Sequence, residues 1–110
     1  MATEITIDEF KKIELCTAKI IDAKEHPQAD RLYVLQVDIG EESPRQIVAG
    51  IRKHRSIDNL IGKTIVLVKN LAPTVIRGVE SKGMLLAAKS GDELSVLTVD
   101  EPIFSGSNVG

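Results

Sequence analysis

The chain has 110 residues, with 14 Lys+Arg against 16 Asp+Glu, a formal net charge of −2. That balance excludes a histone-like or polybasic nucleic-acid binder, but it does not say where the charges lie. The length suits one domain, and 43% hydrophobic with 27% charged residues describes an ordinary globular chain rather than a disordered one.

The first residues read as a short helix. Thr6-Ile7-Asp8-Glu9 has the capping-box pattern, and Ile5 and Phe10 stand at the hydrophobic-staple positions. Ile13 or Leu15 closes the element. Alternation then predicts strands. Over residues 16–22, Cys16, Ala18 and Ile20 share a face. Over 33–39, Tyr33, Leu35, Val37 and Ile39 do the same. His26-Pro27-Gln28-Ala29-Asp30 between them reads as a turn, and Gly40-Glu41-Glu42-Ser43-Pro44 leads into a third run over 45–49. Ser56 caps one helical turn that Gly62 ends. Further strands are predicted over 63–70, 82–89 and 94–99. Ile65 and Leu67 stand opposite Val66 and Val68, so the 63–70 strand should be covered on both sides. In the tail, Pro102, Ile103 and Phe104 are the expected apolar anchors.

Short strands with one helical turn between the third and fourth predict an all-β fold. A five-stranded OB-type barrel fits best, with an SH3-like barrel or small sandwich as alternatives. The barrel should span about 14–99, with a short N-terminal helix before it and a C-terminal extension over about 100–110.

Charge is segregated along the chain. Residues 1–44 carry a net −5, residues 45–89 a net +7 and residues 90–110 a net −4. The bases of the middle block are Arg45, Arg52, Lys53, Arg55, Lys63, Lys69, Arg77, Lys82 and Lys89. They are either dispersed surface charges or a face for a polyanion, and only a fold can bring them together.

Several chemistries are not supported. Cys16, His26 and His54 are too few and too scattered for a zinc site, so no metal is expected. A lone Cys16 forms no internal disulfide. Gly78-Val79-Glu80-Ser81-Lys82-Gly83 has the glycine spacing of a phosphate loop, but Met84 and Leu85 replace the required Lys and Ser/Thr. No catalytic arrangement and no cofactor motif is present. No apolar run nears the roughly 20 residues of a membrane helix. Met1-Ala2-Thr3-Glu4 lacks the basic start of a secretory signal, so a cytoplasmic protein is expected. Phe10, Tyr33 and Phe104 are the only aromatic residues, too few for binding driven by base stacking. Any nucleic acid would be held through phosphates and overall shape.

Five ordered motifs resemble a known family. They are Ile5-Thr6-Ile7-Asp8-Glu9-Phe10, His26-Pro27-Gln28-Ala29-Asp30-Arg31-Leu32, Arg45-Gln46-Ile47-Val48-Ala49-Gly50-Ile51, Val68-Lys69-Asn70-Leu71, and the run Arg77-Gly78-Val79-Glu80-Ser81-Lys82-Gly83-Met84-Leu85-Leu86-Ala87-Ala88. Together they are similar to the tRNA-binding domain at the C-terminus of many methionyl-tRNA synthetases and in free-standing proteins. Ala49 departs from the Ser common there. The resemblance covers essentially the whole chain, 1–110. It implies an OB-fold, a homodimer built from the N-terminal helix region and C-terminal extension, and no catalysis of its own. It implies tRNA as partner, bound by shape with little sequence preference, with a methionyl-tRNA synthetase catalytic chain as a further partner. By resemblance, Arg31, Lys53, Lys69, Arg77 and Lys82 are expected to meet phosphates. Ser81 and Asn70 are expected to hydrogen-bond RNA, and Met84 to pack on a base or ribose. A secretion-type chaperone of the same superfamily and a synthetase dimerisation module are the alternatives.

Overall fold

The computed structural model describes residues 3–110; Met1 and Ala2, the start of the segment read for a secretory signal, lie outside the described residues. In chain order the elements are α1 (Ile7–Phe10), β1 (Leu15–Glu25), β2 (Tyr33–Asp38), β3 (Arg45–Ala49), α2 (Ile57–Leu60), β4 (Thr64–Val68), β5 (Thr74–Ile76), β6 (Val79–Ser81), β7 (Met84–Leu85), β8 (Ala87–Ser90), β9 (Glu93–Val96) and β10 (Asn108–Val109). The fold is nearly all-β, as expected. Five antiparallel strands in the order β3-β2-β1-β4-β7 curl into an almost closed, OB-like barrel.

β1 makes the curl possible. Its first half pairs with β4 (Leu15 with Val68 through Lys19 with Thr64), and from Lys19 onward it pairs with β2. The β1–β2 register shifts between Ile20 and Asp22, and a bulge of this kind bends a strand. β1 therefore runs on to Glu25, beyond the expected end at residue 22. The side chains inside the barrel include Ala18, Ile20, Leu35, Val37, Ile47, Ile65 and Leu67, and Leu60 of α2 plugs one opening. Each large aliphatic residue buried this way contributes about 1.5–3 kcal/mol.

The alternation in β2 matches the sequence reading, and β3 spans the expected residues 45–49. Tyr33, Leu35 and Val37 are buried and their neighbours half-buried. The capping box is present: Glu9 N–H donates to Thr6 Oγ1 (3.1 Å) and Thr6 N–H donates to the Glu9 carboxylate (3.0 Å). The staple is not. Ile5, at 60% exposed, and Phe10, at 36%, leave the helix with no buried residue among those described. The helix ends at Phe10, short of Ile13.

The C-terminal half differs more. The expected strand over 82–89 divides in two: β7 pairs with β4, then β8 turns away to pair with β9. The β5–β6 hairpin was not foreseen at all. Its loop is Arg77-Gly78, with φ of +52° and +84°, where hairpins of this kind usually carry Asn-Gly.

The extension returns to the barrel, where β10 pairs with the start of β1. Its anchor is polar rather than apolar. Thr17 is buried; its hydroxyl donates to the Phe104 carbonyl (2.8 Å) and accepts from Ser107 N–H (3.0 Å). Its backbone exchanges bonds with Ser107 O (2.9 Å) and Gly106 N–H (2.8 Å). A Cβ on Gly106, at φ +85°, would run into the Ile39 carbonyl, so only glycine fits this approach. Phe104 itself is 90% exposed and Ile103 54%. The expectation that they anchor the tail is corrected: the backbone is held and the side chains face outward.

Thr17→Val keeps the shape and removes both hydroxyl bonds. It should cost about 1–3 kcal/mol in a urea melt and speed proteolysis after residue 100.

Candidate nucleic-acid interface

Of the nine bases between residues 45 and 89, two are structural clamps. Arg45 opens β3, and its Nη1 donates to the carbonyls of Lys69 (2.7 Å) and Lys82 (3.4 Å). Its Nη2 meets the Glu41 carboxylate at 3.2 Å. A planar guanidinium suits this bridging, since its donors leave in fixed directions. Arg52 does similar work at the far end of β3. Its Nη1 donates to the Ala29 carbonyl (3.3 Å), and its Nη2 pairs with Glu25. Both guanidiniums are held by bonds within the fold.

The clamps gather the other bases. Around Arg45 stand the backbones of Lys69 and Lys82, with both side chains exposed. Met84 pairs with Val68, next to Lys69, and is 49% exposed. Lys82 reaches Glu80 at 3.7 Å, with both side chains 53% exposed; a pair of this kind is weak and easily exchanged. At the other end, Arg52 N–H donates to the Arg31 carbonyl (3.4 Å), Lys53 follows, and Arg77 stands at the hairpin tip. The carbonyl of Ile76, beside Arg77, is bonded by His26 Nε2 at 3.0 Å. β6 and the following residues run alongside β3: Val48 N–H donates to Ser81 Oγ (2.9 Å), Lys82 N–H to the Gln46 carbonyl (2.8 Å), and Gln46 Nε2 to the Glu80 carbonyl (2.9 Å). The structure thus brings Lys69, Lys82 and Met84 to one end of a β3–β6 seam, and Arg31, Lys53 and Arg77 to the other.

Two expected RNA contacts are already committed inside the fold. Ser81 is 2% exposed; its hydroxyl accepts from Val48 N–H and donates to the Gly83 carbonyl (3.2 Å). Asn70 uses both halves of its amide, accepting from Glu14 N–H (2.9 Å) and donating to the Lys12 carbonyl (2.6 Å). It ties the segment before β1 to the end of β4. Tyr33, the one aromatic residue left for stacking, is buried, and its hydroxyl donates to the Arg55 carbonyl (2.8 Å).

The remaining bases lie elsewhere. Arg55 and Lys63 line a cleft with His54, Ser56 and Asn59. Lys89 lines another that also takes in Asp92 and Glu93. The nine bases are therefore neither one patch nor evenly scattered. Among the described residues no three His, Cys, Asp or Glu side chains converge on a point. The seam presents exposed cations, a surface on which a polyanion could be held.

Sequence reasoning missed the clamp roles of Arg45 and Arg52, whose carbonyl partners lie 23 to 37 residues away. Only the hairpin left a local signal, the β-branched Thr74-Val75-Ile76 before a two-residue turn ending in Gly78.

These features define a class, a small OB-like barrel with a basic seam along β3 and the β5–β6 hairpin. The chain belongs to the tRNA-binding domain family: residues 15–108 match the family described as "Putative tRNA binding domain". It is 51% identical over 105 residues to a methionine–tRNA ligase of Thermotoga maritima, an alignment covering 96% of this chain and 16% of that protein. The chain thus spans about one-sixth of that relative's length. Its fold is similar to that of a MetRS-related protein from Pyrococcus horikoshii (TM-score 0.92, 32% identity, 99% of this chain and 100% of that one). It is also similar to a CsaA chaperone protein from Picrophilus torridus (TM-score 0.89, 28% identity, 97% and 100%).

Cys16 lies at the Arg45 end of the barrel. Burial pushes its thiol above the ordinary range, outweighing the pull of Lys69 and Arg45 in the other direction. The folded protein should therefore react only slowly with iodoacetamide at pH 8, and fully once denatured, as read by mass spectrometry.

Proposed function

We propose that this domain binds folded tRNA by shape, with little sequence preference, and serves a methionyl-tRNA synthetase in cis or in trans without catalysis of its own. Arg31, Lys53, Lys69, Arg77 and Lys82 neutralise phosphates, and Met84 packs against a base or ribose. Ser81 has no direct part, since its hydroxyl is buried and bonded, and Asn70 acts chiefly by tying the segment before β1 to β4. The observation that carries the reading is the exposed basic seam in a chain of the tRNA-binding domain family. The burial of Tyr33 supports it further: no aromatic residue stands on the seam to stack bases, so phosphate geometry has to supply the contact. Loading tRNA onto a synthetase is cytoplasmic work. Among the described residues no helix is long and apolar enough to cross a membrane.

The test is a titration with total tRNA and with unstructured RNA of the same length, at two salt concentrations. tRNA should bind more tightly, with affinity falling steeply as salt rises. Lys69→Glu and Arg77→Glu should each weaken tRNA binding by about tenfold or more and flatten the salt slope by about one unit. Equal affinity for both RNAs would reject shape recognition, and an unchanged slope would reject phosphate contact.

The same reading includes a homodimer. Ile7, Phe10 and Ile13 beside α1 line a shallow cleft with Val109 of β10, and Ile103 and Phe104 extend the exposed apolar surface of the extension. A second copy would take these exposed apolar side chains out of water. Sedimentation should give a dimer at micromolar concentration, and Phe10→Asp with Phe104→Asp should give a folded monomer. A monomeric parent protein would refute this part.

A further inference from the structure

We infer that His26 is a positioning residue for Arg77: its buried imidazole sets where the hairpin tip presents that guanidinium to RNA. The β5–β6 hairpin pairs only with itself. Its far end is fixed by Ser81, but its tip needs another hold. Among the described residues, the bond from His26 Nε2 to the Ile76 carbonyl is the one hydrogen bond joining residues 74–79 to the barrel.

The imidazole is built for this. His26 is 3% exposed, and Gln28 N–H donates to its Nδ1 at 3.0 Å. A backbone amide can only donate, so Nδ1 carries no proton and Nε2 does. The Nε2 proton then points at the Ile76 carbonyl, and both ring nitrogens are satisfied in the neutral form. Ile76 directly precedes Arg77, a non-glycine residue at φ +52°, a backbone state that an L residue adopts reluctantly. Holding the carbonyl just before that residue holds the turn.

The same residue also governs Arg31. His26 N–H donates to the Leu32 carbonyl (3.0 Å) and Leu32 N–H to the Ala29 carbonyl (3.3 Å), closing the loop that carries Arg31. Arg52 braces that loop through the Ala29 carbonyl. One residue thus bonds both segments: its imidazole holds the turn before Arg77, and its backbone N–H helps close the loop that carries Arg31. Given the tRNA binding proposed above, a tip freed from His26 would have to be ordered on binding, and the Arg77 contact would weaken.

The experiment combines His26→Ala, His26→Gln, Arg77→Ala and the double variant His26→Ala/Arg77→Ala, each with a melt showing that it is folded in the assay. In the parent protein, ring nitrogen NMR shifts should report the Nε2–H form; an Nδ1–H ring overturns the inference. In His26→Ala the backbone order parameters of Arg77 and Gly78 should fall, and His26→Gln should restore them in part, since a glutamine amide can still donate to Ile76. Unchanged order parameters overturn it, and His26→Gln carries this test if His26→Ala does not fold. His26→Ala should weaken tRNA binding by about fivefold and flatten the salt slope, with no further loss in the double variant beyond Arg77→Ala alone. Losses that multiply overturn the inference while leaving the tRNA reading intact. An Arg77→Ala variant that binds tRNA as well as the parent rejects the tRNA reading at this position, and the inference with it.

Discussion

The free edge of β3 is the constraint on which the rest of the molecule depends. An edge strand with unpaired amides and carbonyls is unstable against pairing with another chain, and a barrel removes the problem only if it closes. Here the closing strand is too short to do so: β7 has two residues and pairs with β4. Closure falls to residues 80–83. Gln46 takes two bonds from this segment, and Val48 N–H finds the Ser81 hydroxyl where a backbone carbonyl would stand in a full ladder. Gly83 makes the approach possible. It sits at φ +137°, and a Cβ there would lie 3.0 Å from the Val68 carbonyl. The segment that seals the barrel also carries Lys82 and leads directly into Met84. Barrel closure and presentation of the seam are therefore one event.

The net charge of −2 reads differently in this light. The basic middle block does hold the seam, but part of its charge is used to build it. Arg45 and Arg52 sit at opposite ends of β3 and bind carbonyls of neighbouring segments, so their charge is spent on backbone dipoles and one carboxylate each. The exposed side chains around them are the cations on which the proposed tRNA binding would draw, while the bonded guanidiniums hold the neighbouring segments in place.

Much of the barrel was legible because it follows local rules. Alternation located β2 to within a residue, the turn over residues 40–44 located β3, and Thr6 and Glu9 announced their own helix start. The failures share a different cause. Asn70 bonds to chain 56 and 58 residues away, and Ser81 to chain 33 residues away. In sequence, a Ser or Asn near glycines reads the same whether it faces RNA or closes a barrel. The lysines were easier to place, since a long charged side chain with no buried partner stays at the surface wherever the backbone goes. The hairpin was missed because Arg77 occupies a turn position where Asn is the usual sign.

Phe104 shows how a fixed backbone and an exposed side chain work together. Its carbonyl is bound by the Thr17 hydroxyl and by Ser107, so the chain at this point cannot drift. The ring nevertheless stands almost wholly in solvent. A disordered tail could hide an aromatic ring against its own barrel; this one is prevented from doing so. Ordering the backbone in advance lowers the entropy lost when a partner covers the ring, which is the main cost that a small apolar contact has to overcome. The same logic holds at the other pole of the molecule, where His26 fixes the carbonyl beside Arg77 and leaves the guanidinium free. In both places buried polar groups fix the position of the backbone, and the side chain is left outside.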